Sequence, residues 1–274
     1  LSEAAKLGRD ITWDQYCKWN LPIRHVVEDI LNEYEGDREC ADFQNFTVYA
    51  KRLFFANGIH HHYSEDKFFP ECPKEYFQSL MEAVGDGEQA TELLEVIYSP
   101  DIYPQRRSTS KTGDIVELSA VNFYDGVTRE EVDKYYNSMM DPNDKTPISY
   151  GLNTKVVKED GKVVEKPWKV GGIYGPALEK ICAELEKAAA VAETDLQKEA
   201  IGKLVEYYRT GDLKTWDDFN IDWVQDTVGT IDFINGFIED YDDPLGRKAT
   251  WEGYVNMKDS AASARTEGLS AHAQ

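Results

Sequence analysis

The sequence has few of the groups that mark a metal knuckle, a disulfide framework or a membrane anchor. Its four cysteines are scattered, with no C-x-x-C pair: Cys17, Cys40, Cys72 and Cys182. This spacing argues against both a zinc knuckle and disulfide pairing, so we expect reduced, mostly buried thiols. The longest apolar runs are only a few residues, too short to cross a bilayer. We therefore expect no membrane partner and a cytoplasmic location.

The motifs of the common enzyme classes are also absent from the sequence. There is no H-E-x-x-H, no form with one extra residue between the histidines, and no G-x-S-x-G or P-loop. No G-x-G-x-x-G follows a predicted strand. The motifs therefore predict no catalytic residue and no metal ligand in this chain.

Basic residues are outnumbered by acidic ones. Lys and Arg total 30 against 51 Asp and Glu, which gives a formal net charge of −21. Because Lys and Arg supply most of the affinity of proteins for phosphate backbones, nucleic acid is not an expected partner. The negative charge suits a cationic ligand, such as the ammonium group of a peptide, and it would equally serve solubility alone.

The chain of 274 residues, 41% of them apolar, is long enough for a sizeable core. Apolar spacing predicts helices around residues 22–35, 43–56, 76–84 and 93–97. Capping-box patterns predict helix starts at Thr12 and Thr128. A long connection is expected over residues 99–127, because it contains prolines and a polar stretch.

The pattern changes after residue 145. Residues 148–156 alternate at period two, and Asp160-Gly161 predicts a hairpin turn into a return strand. Helices are expected over residues 178–189 and 196–208, strands over 227–241 and 251–257, and a helix over 260–274. Helices followed by strands predict an α+β fold. We expect one α+β domain over residues 1–274, with a helical part (1–145) and a strand-containing part (146–274).

The first polar feature is a row of three histidines, His60, His61 and His62, after Asn57-Gly58. On a strand, His60 and His62 would share one face and could bind one metal ion. No further ligand follows at a suitable spacing. The segment could instead form a polar wall of a ligand cleft, with Tyr63 as an aromatic contact, or be an ordinary solvated loop.

The second feature is Asp232, which interrupts an apolar, β-branched run. A carboxylate in such a strand is costly to bury unless it meets a cation or several donors. Asp232 and Ile234 point to the same face of a strand. An ammonium ligand and an exposed strand face explain this charge equally well.

Three stretches of the sequence resemble the dipeptidyl peptidase III family, most closely its Bacteroidetes-type form. The first is Asn57-Gly58-Ile59-His60-His61-His62-Tyr63, and the second is Gly171-Gly172-Ile173-Tyr174. The third runs from Trp223 through Asn235-Gly236-Phe237-Ile238-Glu239 to Gly246. The similarity extends through nearly the whole chain.

The resemblance implies a two-lobed zinc enzyme that removes dipeptides from the N-termini of short peptides. This chain would be most of the lower, substrate-binding lobe, in which a small β-barrel is packed by helices. The H-E-x-x-x-H motif of the family's catalytic lobe would lie beyond Gln274. The zinc would therefore belong to the parent enzyme and not to this chain, which we expect to be an inactive fragment. The implied partners are short peptides with a free N-terminus and the missing catalytic lobe.

The resemblance also assigns roles to single residues. Asp232 would bind the free ammonium group of the peptide, and Ile234 stands where many members have Tyr. Tyr63 would be an aromatic subsite, and the three histidines would line the cleft without binding zinc. Asn57 and Asn235, in the same motifs, complete the predicted substrate-binding set. Two alternatives remain open: a non-catalytic peptide-binding module, and a metal-binding domain built on His60 and His62.

Overall fold

The computed structural model describes residues 1–273, which form helices, one short 3-10 helix and two small sheets. The first helices are α1 (Ser2–Leu7), α2 (Arg9–Tyr16), α3 (Asn20–Glu33), α4 (Ala41–Ala56), α5 (Lys74–Ala83) and α6 (Ala90–Tyr98). The later ones are α7 (Arg129–Asn137), α8 (Gly175–Ala189), α9 (Asp195–Thr210), α10 (Leu213–Gln225) and α11 (Ser260–Ser270). The 3-10 helix is Gly87–Gln89, and the strands are β1 (Tyr124–Asp125), β2 (Thr154–Glu159), β3 (Lys162–Pro167), β4 (Ile231–Glu239) and β5 (Thr250–Met257).

The helices predicted from apolar spacing are present. Helix α3 buries Ile23, Val26, Val27 and Ile30 on one face, and Pro22 lies in its first turn, where its missing N–H removes no helical hydrogen bond. Helix α4 ends at Ala56 because Asn57 takes a left-handed conformation with φ of 54°. Helix α9 ends in the same way at Gly211, as predicted, with φ of 76°.

In the described part of the chain the strands form two separate sheets. In the first, β2 and β3 are an antiparallel hairpin, turned at Asp160-Gly161 as predicted, and β1 pairs with β2 in parallel. In the second, β4 pairs with β5 in antiparallel register, with a bulge between Phe237 and Glu239. The predicted α+β class is confirmed. Within residues 1–273 the sheets have three and two strands, so they do not close into the expected barrel.

Several local predictions were wrong. Thr12 does not start a helix but lies inside α2, where its hydroxyl donates to the Trp251 carbonyl at 2.7 Å. Residues 148–153 form no strand, and residues 150–153 are a turn, because Gly151 takes φ of +90° and packs closely against Tyr136. The predicted helix over 260–274 ends at Ser270, and Gln274 lies outside the described residues. Helices α1 and α10 were not predicted.

The buried side chains of residues 1–273 form three clusters. One lies among α3–α6, and a smaller one lies between α7 and β2. The largest joins α8, α9 and α10 to the β4–β5 hairpin and includes Ala4 and Ile11 from the first two helices. Gln15 also joins helix α2 to the start of β5. Its Oε1 accepts from Trp251 N–H at 2.7 Å, and its Nε2 donates to the Ala249 carbonyl at 3.1 Å. All four cysteines are free thiols, and Cys40 alone among them is partly exposed.

Candidate functional site

The histidine segment (residues 57–70) begins with a tight approach of backbone to side chain. A β-carbon at Gly58 would lie 2.2 Å from the Asn20 amide nitrogen, and its φ is +156°. Asn20 is fully buried; its amide donates to the Asn57 carbonyl at 3.4 Å and accepts from Ile59 N–H at 3.2 Å. Glycine is therefore needed here for close packing.

The three adjacent histidines occupy different environments. His60 is 2% exposed, and its Nε2 lies 2.8 Å from the carbonyl oxygen of Tyr103. Burial lowers the pKa of His60 to about 4, so this imidazole is neutral at pH 7. His61 lies on the surface, where its Nδ1 accepts from the backbone N–H groups of Tyr63 and Ser64 at 3.2 Å each. The structure therefore does not bring His60 and His62 to one site.

His61, His62 and Tyr63 form an aromatic cluster that faces solvent. The two imidazole rings stack with centroids 4.7 Å apart, and the Tyr63 ring lies 4.1 Å from His62. Tyr63 is 84% exposed. On the other side of His62, Phe55 makes an edge contact at 4.7 Å, and both border a groove of about 510 Å³. The groove is lined by Lys51, Arg52, Phe55, Ala56, His61, His62 and Phe68.

Asn57 faces a different cleft, between the first two helices and strand β5. Its volume is about 490 Å³, and its lining includes Tyr16, Asn57, Glu252 and Tyr254. Glu252 is partly buried, and this burial raises the pKa of its carboxyl, with the nearby Glu239 acting in the same direction. Asn57 and the histidine cluster therefore border two separate concave surfaces.

Asp232 lies near the start of β4, exposed to solvent. Its Oδ1 accepts from the indole N–H of Trp223 at 3.1 Å and from the Phe233 N–H at 2.8 Å. The same indole N–H also donates to the Phe233 carbonyl at 2.9 Å. Trp223 thus orients the carboxylate, while Oδ2 accepts no hydrogen bond from residues 1–273 and is open to a ligand donor.

The neighbours of Asp232 on β4 face opposite sides. Ile234 lies on the same face as Asp232, as predicted, and pairs across the ladder with Tyr254. Asn235 is buried on the other face, where its Oδ1 accepts from the Tyr208 hydroxyl at 2.6 Å. The Asn235 side chain is therefore occupied by the core and is not free at the exposed face.

The histidine segment is linked through Arg106 to the turn end of the β4–β5 hairpin rather than to the Asp232 end. Arg106 joins the two, with Nη2 at 2.8 Å from Asp242 Oδ1 and at 3.5 Å from the His62 carbonyl. Asp232 and Glu239 are separated by seven residues of β4, or about 23 Å at about 3.3 Å per residue. The predicted residues thus do not converge on one point.

Sequence reasoning missed Arg106 and Asp242. Arg106 lies in a polar stretch that was interpreted as a connection, and Asp242 in a turn where charged residues are common. The only available signal was the Asp242-Asp243 pair beside a characteristic motif, and two adjacent acids in a turn are too common to be specific.

Zinc, which the resemblance implies, finds no ligand set in the described part of the chain. No group of three or more His, Cys, Asp or Glu side chains within residues 1–273 could hold a metal ion. We therefore assign no chemical step to a metal on these residues. No helix in the same range is long and apolar enough to span a bilayer.

Comparisons with known proteins agree with the resemblance. The chain is 25% identical over 282 residues to human dipeptidyl peptidase 3 and 24% identical over 289 residues to the rat protein. Each match covers 92% of this chain and 37% of the relative, so the chain spans little more than a third of the length of these proteins.

Solved structures share the fold. Dipeptidyl peptidase III from Caldithrix abyssi superposes with a TM-score of 0.62 at 20% identity, covering 98% of this chain and 40% of that one. The enzyme from Corallococcus sp. strain EGB gives a TM-score of 0.61 at 17% identity, with the same coverage. The sequence model of peptidase family M49 matches residues 121–274, more than half of the chain. The chain therefore belongs to peptidase family M49.

Proposed function

We propose that this chain is the peptide-binding portion of a zinc-dependent dipeptidyl peptidase, and that Asp232 binds the free N-terminal ammonium group of the peptide. Family membership supports the reaction class, and the relatives are named dipeptidyl peptidase 3. The observation that carries the role of Asp232 is its geometry. An exposed carboxylate is held through one oxygen by Trp223 and keeps the other oxygen for a donor.

In this proposal the other predicted residues have unequal parts. Ile234 offers an apolar contact beside Asp232, and Tyr63 with His61 and His62 offers an aromatic surface. Asn57 borders its own cleft. In this proposal His60 and Asn235 do not touch the peptide, because both side chains are buried. They support the segments that carry the exposed residues.

The catalytic lobe of the family is the proposed partner of this domain. Residues 1–273 provide no set of metal ligands, so we expect this chain to bind peptide without cleaving it. The proposed domain comprises the helical part (1–145) and the strand-containing part (146–274), since helix α2 and strand β5 are joined by the hydrogen bonds of Gln15.

Substitution of Asp232 by Asn tests the proposal. Calorimetry would compare a tetrapeptide of alanine with a free N-terminus and its N-acetylated form. We expect Asp232→Asn to weaken binding of the free peptide about two- to twelvefold, because an exposed charge-assisted hydrogen bond contributes about 0.5–1.5 kcal/mol. Binding of the acetylated peptide should hardly change.

Asp240→Asn is the matched control. Asp240 is also exposed and follows the other end of β4, so the variant changes net charge by the same amount. If Asp240→Asn weakens binding as much as Asp232→Asn, the effect is one of overall charge. Equal losses for the free and acetylated peptides would show that Asp232 does not bind the ammonium group.

A further inference from the structure

Arg106 is a buried cation at the meeting point of four chain segments. Its side chain is 4% exposed. Its guanidinium lies 4.3 Å from the ring centre of Tyr16 in α2, 2.8 Å from Asp242 in the β4–β5 turn, and 3.8 Å from Glu65 in the histidine segment. Arg106 itself belongs to the connection between α6 and α7. One side chain therefore contacts parts of the chain that are more than 200 residues apart in sequence.

Arg106 provides the largest charge compensation of Asp242, and the Tyr16 hydroxyl and Arg107 contribute less. It is fully buried, and neither of its oxygens has a well-aligned hydrogen bond within residues 1–273. Burial raises the pKa of the Asp242 carboxyl, and the guanidinium of Arg106 opposes this change. Removal of one partner from a buried ion pair leaves an uncompensated charge, which is strongly unfavourable. The β4–β5 turn is therefore held to the Arg106 segment by this pair.

The other side of Arg106 supports a strained turn. Glu65 has φ of +64°, a left-handed conformation that is unfavourable for a residue other than glycine. Its N–H donates to the His61 carbonyl at 2.9 Å, and its own carbonyl accepts from Arg106 N–H at 2.9 Å. Arg107 forks onto the Glu65 carboxylate at 3.1–3.3 Å. Residues 106 and 107 thus hold the turn that presents Tyr63.

We propose that Arg106 is a positioning residue, which fixes the Tyr63 turn against the β4–β5 turn so that both lie on one rigid frame with Asp232. The expected effect of Arg106 on peptide binding rests on the proposed function. Arg106 touches no peptide itself. Arg106 affects binding because it fixes the position of Tyr63 relative to the β4–β5 hairpin.

The geometry predicts that this effect depends on peptide length. A peptide held at Asp232 would need to span about 23 Å along β4 to reach the turn end, and an extended chain covers at most about 3.3–3.6 Å per residue. A tripeptide is therefore too short to reach the Tyr63 turn, whereas an octapeptide is long enough.

Two variants and one control test the inference by amide hydrogen exchange and by calorimetry. Arg106→Met removes the guanidinium, and Asp242→Asn removes only the charge of its partner. Arg107→Met is the control, because Arg107 is a third exposed and is paired with Glu65 and not with Asp242. The peptides are a tripeptide and an octapeptide of alanine and serine, both with free N-termini.

For Arg106→Met and Asp242→Asn we expect exchange in residues 61–66 and 240–248 to become about tenfold faster or more, while α8 and α9 keep their protection. Octapeptide affinity should fall at least about fivefold, and tripeptide affinity should stay within about twofold, because only the longer peptide reaches Tyr63. Arg107→Met should accelerate exchange in residues 61–66 and leave exchange in residues 240–248 unchanged.

Several results would overturn the inference. Unchanged exchange in the two turns, or equal acceleration throughout the chain, would show that Arg106 does not fix them to each other. Equal loss of affinity for both peptides would remove the positioning role. If the wild-type chain binds neither peptide, the proposed function fails, and the exchange measurement alone then decides whether Arg106 fixes the two turns. If Arg106→Met does not fold, Asp242→Asn decides the same question, since it keeps the shape of the side chain.

Discussion

Lys248 shows how a single buried charge is accommodated away from the candidate site. Its ammonium group is fully buried and donates to the Tyr136 hydroxyl at 2.8 Å and to the Gly151 carbonyl and Thr154 hydroxyl at 3.1 Å each. Burial lowers the pKa of Lys248 to about 8. The charged ammonium group therefore lowers the free energy of unfolding. This destabilisation decreases as the pH rises, because the group loses its proton.

The pH dependence of unfolding tests this account of Lys248. In the unfolded chain its pKa is about 10.4, so between pH 8 and 10 the unfolded state binds more protons than the folded state. Stability contributed by Lys248 should therefore rise with pH, by about 1–2 kcal/mol over this interval. Urea unfolding at pH 8, 9 and 10 would compare the wild type with Lys248→Met.

The difference in free energy of unfolding between the two proteins should change in favour of the wild type as the pH rises. Other groups that titrate in this range are common to both proteins and cancel in the comparison. A difference that is constant from pH 8 to 10 would show that the pKa of Lys248 is not lowered by burial.

At the residue scale, the sequence predicted exposure better than it predicted contacts. The alternation of β4 correctly placed Asp232 and Ile234 on one face. The separation of His60 from its neighbours could not be predicted, because it depends on the backbone carbonyl of Tyr103, which is more than 40 residues away and accepts from His60 Nε2–H. Period-two alternation predicts which face a side chain takes only within a regular strand, and the segment that carries His60 is not a regular strand.

At the element scale, capping patterns were reliable only where the local geometry allowed a helix to start. Thr128 caps α7 as predicted: its hydroxyl accepts from Glu131 N–H at 3.3 Å, and the Glu131 carboxylate accepts from Thr128 N–H at 3.1 Å. The same pattern at Thr12 lies within a helix. Its hydroxyl is bonded to β5, which is more than 200 residues away, so no local rule could predict its role.

Thr128→Ala should therefore destabilise the protein. Loss of an N-cap hydroxyl costs about 1 kcal/mol, and urea unfolding followed by tryptophan fluorescence would measure the change. Thr47→Ala is the matched control, because the Thr47 hydroxyl only donates back to the Phe43 carbonyl within α4 and should cost little. Equal losses in both variants would argue that the cap itself contributes nothing specific.

Helix α10 was not predicted, although its sequence contains helix signals. Asp212 caps it by accepting from the N–H groups of Lys214 and Thr215, and Leu213, Trp216 and Phe219 are buried at helical spacing. These signals were present in the sequence. Several acidic residues in the same stretch make its apolar face less evident. This helix matters because it carries Trp223, the residue that orients Asp232.

At the scale of the whole molecule, the α+β class could be predicted because it follows from the order of helical and alternating segments. The association of the first two helices with the last strand could not, since Gln15 and Trp251 are joined only in the folded chain. The Arg106–Asp242 pair is of the same kind. Long-range contacts of this type determine where the predicted site residues lie, and no sequence spacing records them.

The most direct test of the central claim is release of dipeptides by the protein that the gene encodes. An octapeptide with a free N-terminus and its N-acetylated form would be incubated with the protein and zinc, and the products identified by mass spectrometry. We predict release of N-terminal dipeptides from the free peptide, slower release from it by Asp232→Asn, and several-fold slower release of N-acetylated dipeptides from the acetylated peptide. Equal cleavage of both peptides would contradict the ammonium-binding role of Asp232, and absence of any dipeptide would contradict the peptidase function.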